Sequence, residues 1–113
     1  MYMCLWQFSD PPDEPRIDGY HEMETLRRGQ TVELICTSEG GNPPAQLIWY
    51  KNGEQIRMAY RTVGKKSVNV HTFQAQASDN KAKYKCEASN VMSLKPLTAE
   101  VTLTVLCKYK KPY

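Results

Sequence analysis

Cysteine and histidine are the residue types in this chain that could bind a metal ion or carry out nucleophilic and redox chemistry. The 113 residues contain two histidines and four cysteines, which are His21, His71, Cys4, Cys36, Cys86 and Cys107. They form no Cys-x-x-Cys pair or Cys/His cluster, and the sequence has no Gly-x-Ser-x-Gly motif. Neither a zinc site nor a hydrolase nucleophile is therefore indicated. We expect a protein without enzymatic activity, metal or other cofactor.

The composition indicates one globular domain with a modest core. Hydrophobic residues make up 41% of the chain, and the net charge of +3 comes from interleaved acidic and basic residues. This mild positive charge does not favour nucleic-acid binding. No apolar run is long enough to insert across a membrane. The apolar segment 1–8 lacks the basic start and the cleavage site of a signal peptide, and we interpret it as the end of a preceding segment or as a splice boundary.

Two of the cysteines lie in segments whose apolar residues recur with period two, which is typical of half-buried β-strands. These segments are 31–38 and 82–90. The residues expected to face inward from them are Val32, Leu34, Cys36, Tyr84, Cys86 and Ala88. The residues expected to face outward from the second segment are Lys83, Lys85 and Glu87.

Further strands are predicted before, between and after these two segments. They cover 16–20, 45–51, a short stretch through Ile56 and Met58, 67–75 and 97–106, whereas 60–66 is predicted to be irregular. Within 45–51, Leu47 and Trp49 share the inward face. Ile48 and Tyr50 therefore point outward. No stretch of useful length has the helical period, so the sequence predicts an all-β sandwich.

Cys36, Trp49 and the triplet Tyr84-Lys85-Cys86 resemble the signature of an immunoglobulin-fold domain. The resemblance implies that the two cysteines form a disulfide between two sheets, that the tryptophan packs on it and that the tyrosine closes the corner before the second cysteine. The interval between the cysteines is too short for the two extra strands of a variable-type domain, so a constant-type Greek-key sandwich is expected. The expected core residues are Trp49, Tyr84, Leu34, Leu47 and Leu103.

Segment 67–75 carries two conflicting alternations. Val68 and Val70 favour one face of the strand, whereas Phe73 and Ala75 favour the opposite face. A bulge or a one-residue slip near His71 would reconcile them. Phe73 and Ala75 match inward positions of the immunoglobulin family, so we expect their alternation to define the inward face.

Several segments are similar to the ectodomains of nephrin-type cell-adhesion receptors, which are built from serial immunoglobulin domains. They are 26–30, 39–44, 47–51 and 78–86. The resemblance implies an extracellular module of a plasma-membrane protein, and a disulfide fits such an oxidising compartment. The expected organisation is an N-terminal tail and proline-rich linker over 1–15, the domain over 16–107 and a C-terminal tail over 108–113. The implied partners are other immunoglobulin-superfamily adhesion proteins or neighbouring domains of the same chain.

One position departs from the commonest form of the family's tyrosine corner. That form has Asp six residues and Gly four residues before the second cysteine, where this chain has Asn80 and Ala82. Asp79 lies one step earlier, which is similar to the nephrin-type variant. The salt bridge made by the usual Asp is therefore not carried over to this chain.

The outward face of the strands that carry Trp49 and Cys86 is the candidate protein-binding surface. Its residues are Ile48, Tyr50, Lys83, Lys85 and Glu87. A tyrosine beside an apolar residue and charges is a typical interface anchor. The competing interpretation is a solvated sheet in a domain that acts as a spacer. Two further alternatives are a domain that binds a ligand or polyanion through Lys65-Lys66 and 108–111, and an intracellular structural immunoglobulin domain.

Cys4 and Cys107 lie near the two ends of the sequence, and we expect no disulfide between them. In a seven-strand sandwich the chain enters at one pole and leaves at the other. A strand of about eight residues spans about 26 Å, whereas a disulfide requires Cα atoms within about 7 Å. The two thiols are therefore expected to be too far apart to pair within one chain.

Overall fold

The computed structural model describes residues 10–106, and these form ten β-strands and one short 3₁₀ turn. The strands are β1 (Arg16–Asp18), β2 (Thr25–Arg27), β3 (Thr31–Glu39), β4 (Gln46–Lys51), β5 (Glu54–Arg57), β6 (Arg61–Val63), β7 (Lys66–Gln74), β8 (Lys83–Ser89), β9 (Leu97–Thr102) and β10 (Thr104–Leu106). The 3₁₀ turn covers Ala77–Asp79. Residues 10–106 include no helix that could cross a membrane.

Two four-stranded antiparallel sheets form the sandwich, which confirms the predicted all-β class. The first sheet has the strand order β1-β3-β7-β6 and the second has the order β5-β4-β8-β9. The short strand β10 pairs in parallel with β2. In the second sheet, β5 lies beside the three strands that a constant-type domain has there, whereas a variable-type domain adds two strands.

The core lies between the two sheets and is centred on a disulfide. Cys36 on β3 and Cys86 on β8 are joined across the sandwich, with their Cα atoms 6.5 Å apart. The large side chains buried around this bond are Trp49, Tyr84, Leu34, Leu47 and Leu103. The first four occupy inward positions of their strands, where the period-two pattern of the sequence places them together, and Leu103 lies between β9 and β10.

Strand β7 is continuous, so the predicted bulge or slip near His71 is wrong. Its pairing with β3 runs without interruption from Thr31 opposite Gln74 to Glu39 opposite Lys66. The face that carries Phe73 and Ala75 is the inward one, and it continues to the fully buried Asn69 and Ser67. Val68 and Val70 consequently point outward. The conflict in the sequence arises because this strand has polar residues inside and apolar residues outside at one end.

Several other strands differ from the sequence prediction. The strand β2 was not predicted, and β1 and β5 end before the predicted residues 20 and 58. The stretch 60–66 contains the short strand β6 and the beginning of β7, although it was expected to be irregular. The predicted strand 97–106 is divided at Leu103, whose backbone bonds with Ala82 and Lys81 before β10 turns to pair with β2. The last two differences involve edge segments, where pairing with a distant strand decides the structure.

The described chain enters and leaves the sandwich at opposite poles. At the first pole, the backbone of Asp10 pairs with that of Asn42 in the β3–β4 loop, and Asn90 in the β8–β9 loop donates a side-chain hydrogen bond to the Asp10 carbonyl. At the other pole, Leu106 lies opposite Arg27 at the end of β2. Cys4 and Cys107, and with them the expectation that they do not pair, lie outside the described residues.

Candidate functional site

The strand register brings together four of the five residues proposed for the binding surface. Strands β4 and β8 are antiparallel neighbours, with Ile48 opposite Glu87 and Tyr50 opposite Lys85. Residues directly opposite on neighbouring strands lie on the same face of a sheet. All four are partly buried, whereas Lys83 lies at the start of β8 and is exposed. We call Ile48, Tyr50, Lys85 and Glu87 the tyrosine patch.

Tyr50 is held between two opposite charges within this patch. Its hydroxyl donates a hydrogen bond of 3.2 Å to the carboxylate of Glu87, and the ammonium of Lys85 lies 5.1 Å from the centre of its ring. The same ammonium is 3.7 Å from Glu87. Burial, followed by the negative charge of Glu87, raises the pKa of Tyr50. The phenol is therefore protonated at neutral pH, and it donates its proton to the hydrogen bond with Glu87.

A second polar cluster lies at the tyrosine corner. The hydroxyl of Tyr84 donates a hydrogen bond of 2.7 Å to Asp79, and the ammonium of Lys51 is 2.8 Å from the same carboxylate. Asp79 also accepts a hydrogen bond from the backbone N–H of Gln76. Burial raises the pKa of Asp79, but these three partners outweigh it and lower that pKa overall. Asp79 thus forms a salt bridge with Lys51, although it lies one position before the aspartate of the commonest tyrosine corner.

An aromatic stack covers this ion pair on the side of β7. The ring of Phe73 stacks on Tyr84 with centroids 5.2 Å apart, and His71 stacks on Phe73 at 5.0 Å. Burial, and then the positive charge of Arg57, lowers the pKa of His71. The stack and the ion pair line a shallow groove of about 240 Å³. The groups that line the groove bond to and stack on one another. We therefore interpret the cluster as part of the structure at the edge of the core.

Other residues singled out in the sequence are not brought together. His21 is exposed in the β1–β2 connection, and Lys65 and Lys66 are exposed at the β6–β7 turn. The basic segment 108–111 lies outside the described residues. Residues 10–106 contain no group of three or more His, Cys, Asp or Glu side chains that could hold a metal ion.

The core also contains polar side chains that the apolar pattern of the sequence does not indicate. Asn69 donates hydrogen bonds from its amide to the backbone carbonyls of Leu47 and Arg57, while Ser67 donates to the carbonyl of Ala45. The indole N–H of Trp49 in turn donates to the backbone carbonyl of Asn69. The signal in the sequence was the spacing, because Ser67 and Asn69 continue the period of Phe73 and Ala75.

Comparison with known proteins identifies the family of this sandwich. A family model described as "Immunoglobulin domain" matches residues 14–90. The chain belongs to the immunoglobulin domain family. Nephrin of Rattus norvegicus is 36% identical to this immunoglobulin domain in an alignment of 99 residues that covers 84% of this chain and 8% of nephrin. Vascular endothelial growth factor receptor 2 of Coturnix japonica is 31% identical over 88 residues, which are 78% of this chain and 6% of the receptor.

The solved structures support the same fold. The crystal structure of Rst D1-D2 superposes on this immunoglobulin domain with a TM-score of 0.75, covering 87% of this chain and 51% of that chain at 20% sequence identity. By its sequence the domain is homologous to immunoglobulin domains of nephrin and of other receptors, which are a non-enzymatic family. It spans less than a tenth of the length of the two curated relatives compared above.

Proposed function

We propose that this immunoglobulin domain is one module in the extracellular part of a cell-surface adhesion receptor, where it acts as a spacer between neighbouring domains. The observation that carries the proposal is the position of the two ends of the described segment 10–106. Asp10 lies at one pole of the sandwich and Leu106 lies at the other. This arrangement suits domains that are strung end to end. The similarity to nephrin and the disulfide, which fits an oxidising compartment, support the extracellular location.

A domain exchange tests the spacer role. In a receptor that contains this domain, cell aggregation is compared after deletion of residues 10–106 and after their replacement by an unrelated immunoglobulin domain of similar length. A spacer is replaceable, so we expect the exchange to retain aggregation and the deletion to reduce it. Loss of aggregation in both variants, with normal surface expression, would contradict the spacer role.

The tyrosine patch supports a second role, which is direct contact with another immunoglobulin domain. Tyr50 is held in one orientation by Glu87 and Lys85, and an ordered aromatic side chain loses little entropy on binding. Replacing Tyr50 by Ala should reduce aggregation if this patch is a contact. Met23→Ala is the matched control because Met23 is 87% exposed in the β1–β2 connection. Equal aggregation of both variants would rule out the contact and leave the spacer role in place.

A further inference from the structure

The proline-rich segment before β1 is fixed against the sandwich. Pro12 is buried. The backbone N–H of Asp13 donates a hydrogen bond of 3.0 Å to the carbonyl of Glu39, and the hydroxyl of Ser38 donates one of 3.0 Å to the carbonyl of Asp13. The path by which the chain reaches the domain is therefore defined as far back as Asp10, the first described residue.

Asp10 is held at the first pole by the two loops that meet there. Its backbone exchanges two hydrogen bonds with that of Asn42, of 3.0 and 2.9 Å. The side-chain amide of Asn90 donates to the carbonyl of Asp10 at 2.6 Å and to the carbonyl of Pro43 at 2.8 Å. Asn90 thus joins the β3–β4 loop, the β8–β9 loop and the incoming chain. The chain therefore enters the domain beside these two loops.

A partly apolar groove opens at this entry point. Its volume is about 390 Å³. The residues that line it include Pro43, Pro44, Tyr60, Asn90 and Val91. Val91 is 81% exposed, and the exposed Met92 and Leu94 continue the apolar surface along the β8–β9 loop. Exposed apolar side chains gathered in one place are typical of a contact site. We call this surface the pole groove.

The nine residues that precede Asp10 have the chemistry to pack on such a surface. None of them carries a charged side chain. The large apolar and aromatic ones are Met1, Tyr2, Met3, Leu5, Trp6 and Phe8. Residues 1–9 lie outside the described part of the chain. Moving side chains of this kind from water onto an apolar surface is favourable, so the segment complements the pole groove.

The pole groove is within reach of two of these aromatic residues. Each residue of an extended chain advances at most about 3.6 Å, so the Cα atom of Phe8 is within about 7 Å of that of Asp10, and that of Trp6 is within about 14 Å. In an extended chain, residues 6 and 8 also share one face. Only Ser9 separates Phe8 from Asp10. The groove therefore meets this segment at a much higher effective concentration than it meets a separate molecule.

We propose that Phe8 and Trp6 dock in the pole groove. Phe8 packs against Val91, beside the hydrogen bond from Asn90 to Asp10, and Trp6 covers the part of the groove farther from Asp10. The apolar segment is then a part of the folded domain. In a longer receptor it fixes the direction in which the preceding chain leaves the pole. The docking is a property of this domain and does not depend on the spacer role proposed above.

The first test is NMR spectroscopy of the isotope-labelled 113-residue chain. The protein carries Cys4→Ser and Cys107→Ser so that no disulfide links two molecules. We expect nuclear Overhauser effects between the ring protons of Phe8 and the methyl groups of Val91, since docking brings these groups into contact. Their absence would overturn the proposal.

A charge in the pole groove tests the same contact from the other side. Val91→Asp should undock the segment because a carboxylate is poorly accommodated against an aromatic ring. The ring resonances of Phe8 and Trp6 should then move to the positions of exposed rings. Val63→Asp is the matched control, since Val63 is 66% exposed on β6, and it should leave these resonances unchanged. Equal effects of the two substitutions would contradict docking in the groove.

A double-mutant cycle followed by thermal unfolding measures the energetic coupling. Phe8→Ala and Val91→Asp should each lower the melting temperature by about 4 °C. The double variant should unfold at nearly the same temperature as either single variant, because both substitutions remove one shared contact. Additive losses would overturn the proposal.

Dilution separates docking within one chain from docking between copies. The Phe8 resonances should not depend on protein concentration, because the contact is intramolecular. Resonances that move to exposed positions on dilution would place the segment on a second copy and would overturn the proposal. The spacer role is tested by cell aggregation and is unaffected by any of these outcomes.

Discussion

The side-chain amide nitrogen of Asn69 on β7 lies 3.0 Å from the backbone carbonyl oxygen of Leu47 on β4, and this hydrogen bond joins the two sheets inside the core. The carbonyl needs such a donor because β5 pairs only with Trp49 to Lys51 of β4. The earlier half of β4 has no strand on that edge. Asn69, together with Ser67 at the Ala45 carbonyl, takes the place of the missing strand.

Replacing Asn69 by Ala should lower the free energy of unfolding by about 2–4 kcal/mol, because the backbone carbonyls of Leu47 and Arg57 lose buried donors and a cavity forms. Urea unfolding followed by tryptophan fluorescence measures the change. Thr72→Ala on the same strand is the control, since Thr72 is exposed and its loss should cost less than about 0.5 kcal/mol. Equal effects of the two substitutions would show that Asn69 has no special role.

The disulfide between Cys36 and Cys86 closes a loop with a sequence separation of 50 residues. Replacing both cysteines by Ala should destabilise the domain by about 4 kcal/mol, chiefly because the unfolded chain gains conformational freedom. Mass spectrometry of the non-reduced secreted protein should recover the linked peptide, and calorimetry gives the loss of stability.

Cys4→Ser together with Cys107→Ser is the matched control for that pair. We expect the melting temperature of the monomer to be nearly unchanged, because these two cysteines are predicted not to pair within one chain. A fall as large as that caused by loss of the Cys36–Cys86 bond would contradict this prediction.

Asp79→Asn should destabilise the domain by about 1–3 kcal/mol at neutral pH, because Lys51 and Tyr84 lose a buried charged partner. The pKa of Asp79 is lowered in the folded state. Its stabilisation is therefore complete above the unfolded value of about 3.9 and is lost as the pH falls through the folded pKa. Equilibrium unfolding between about pH 7 and 3 should show the two proteins converging at acidic pH.

Asp18→Asn is the control substitution for Asp79→Asn. Asp18 forms an exposed ion pair with Arg16, and such pairs contribute less than about 1 kcal/mol. A pH-independent difference between wild type and Asp79→Asn would mean that the charge of Asp79 is not what stabilises the corner.

His71 should make stability decrease between neutral and mildly acidic pH. Burial lowers its pKa in the folded state, so below about pH 6.5 the unfolded chain takes up the proton first. The resulting slope is at most about 1.4 kcal/mol per pH unit for one proton. His71→Gln should remove this slope in denaturant titrations, whereas His21→Gln should retain it because His21 is exposed. If stability depended on pH equally in both variants, a group other than His71 would be the one that takes up the proton.

Much of the fold was predictable because the sequence repeats with the period of a strand. On β3, β4 and β8 the large apolar residues alternate with polar ones. Burying the apolar face of each strand therefore buries Leu34, Cys36, Trp49 and Tyr84. The spacing of Cys36, Trp49 and Cys86 then resembled a known family, and the family model confirmed it. The tyrosine patch was predictable for the same reason, since burial of Trp49 forces Tyr50 outward.

The burial of polar residues at the beginning of β7 was not predictable from apolar periodicity. Val68 and Val70 are the apolar residues there, and a rule that buries apolar side chains places them inside. The structure buries Ser67 and Asn69 instead, because free carbonyls on β4 offer hydrogen bonds that only a polar side chain can complete. The strand that needs these donors, β4, is far away in the sequence, so apolar residues alone do not reveal them, although Ser67 and Asn69 continue the spacing of Phe73 and Ala75.

The amino-acid sequence by itself determined the sandwich, its core residues and the outward direction of Tyr50, because strand geometry alternates side chains between two faces. Only the tertiary structure decided the partners of the polar groups. Asp79 reaches Lys51 and Tyr84 across the corner, and Ser67 and Asn69 reach backbone carbonyls of β4 across the core. These relationships depend on distances between strands that are remote in sequence, and such distances exist only once the two sheets have packed.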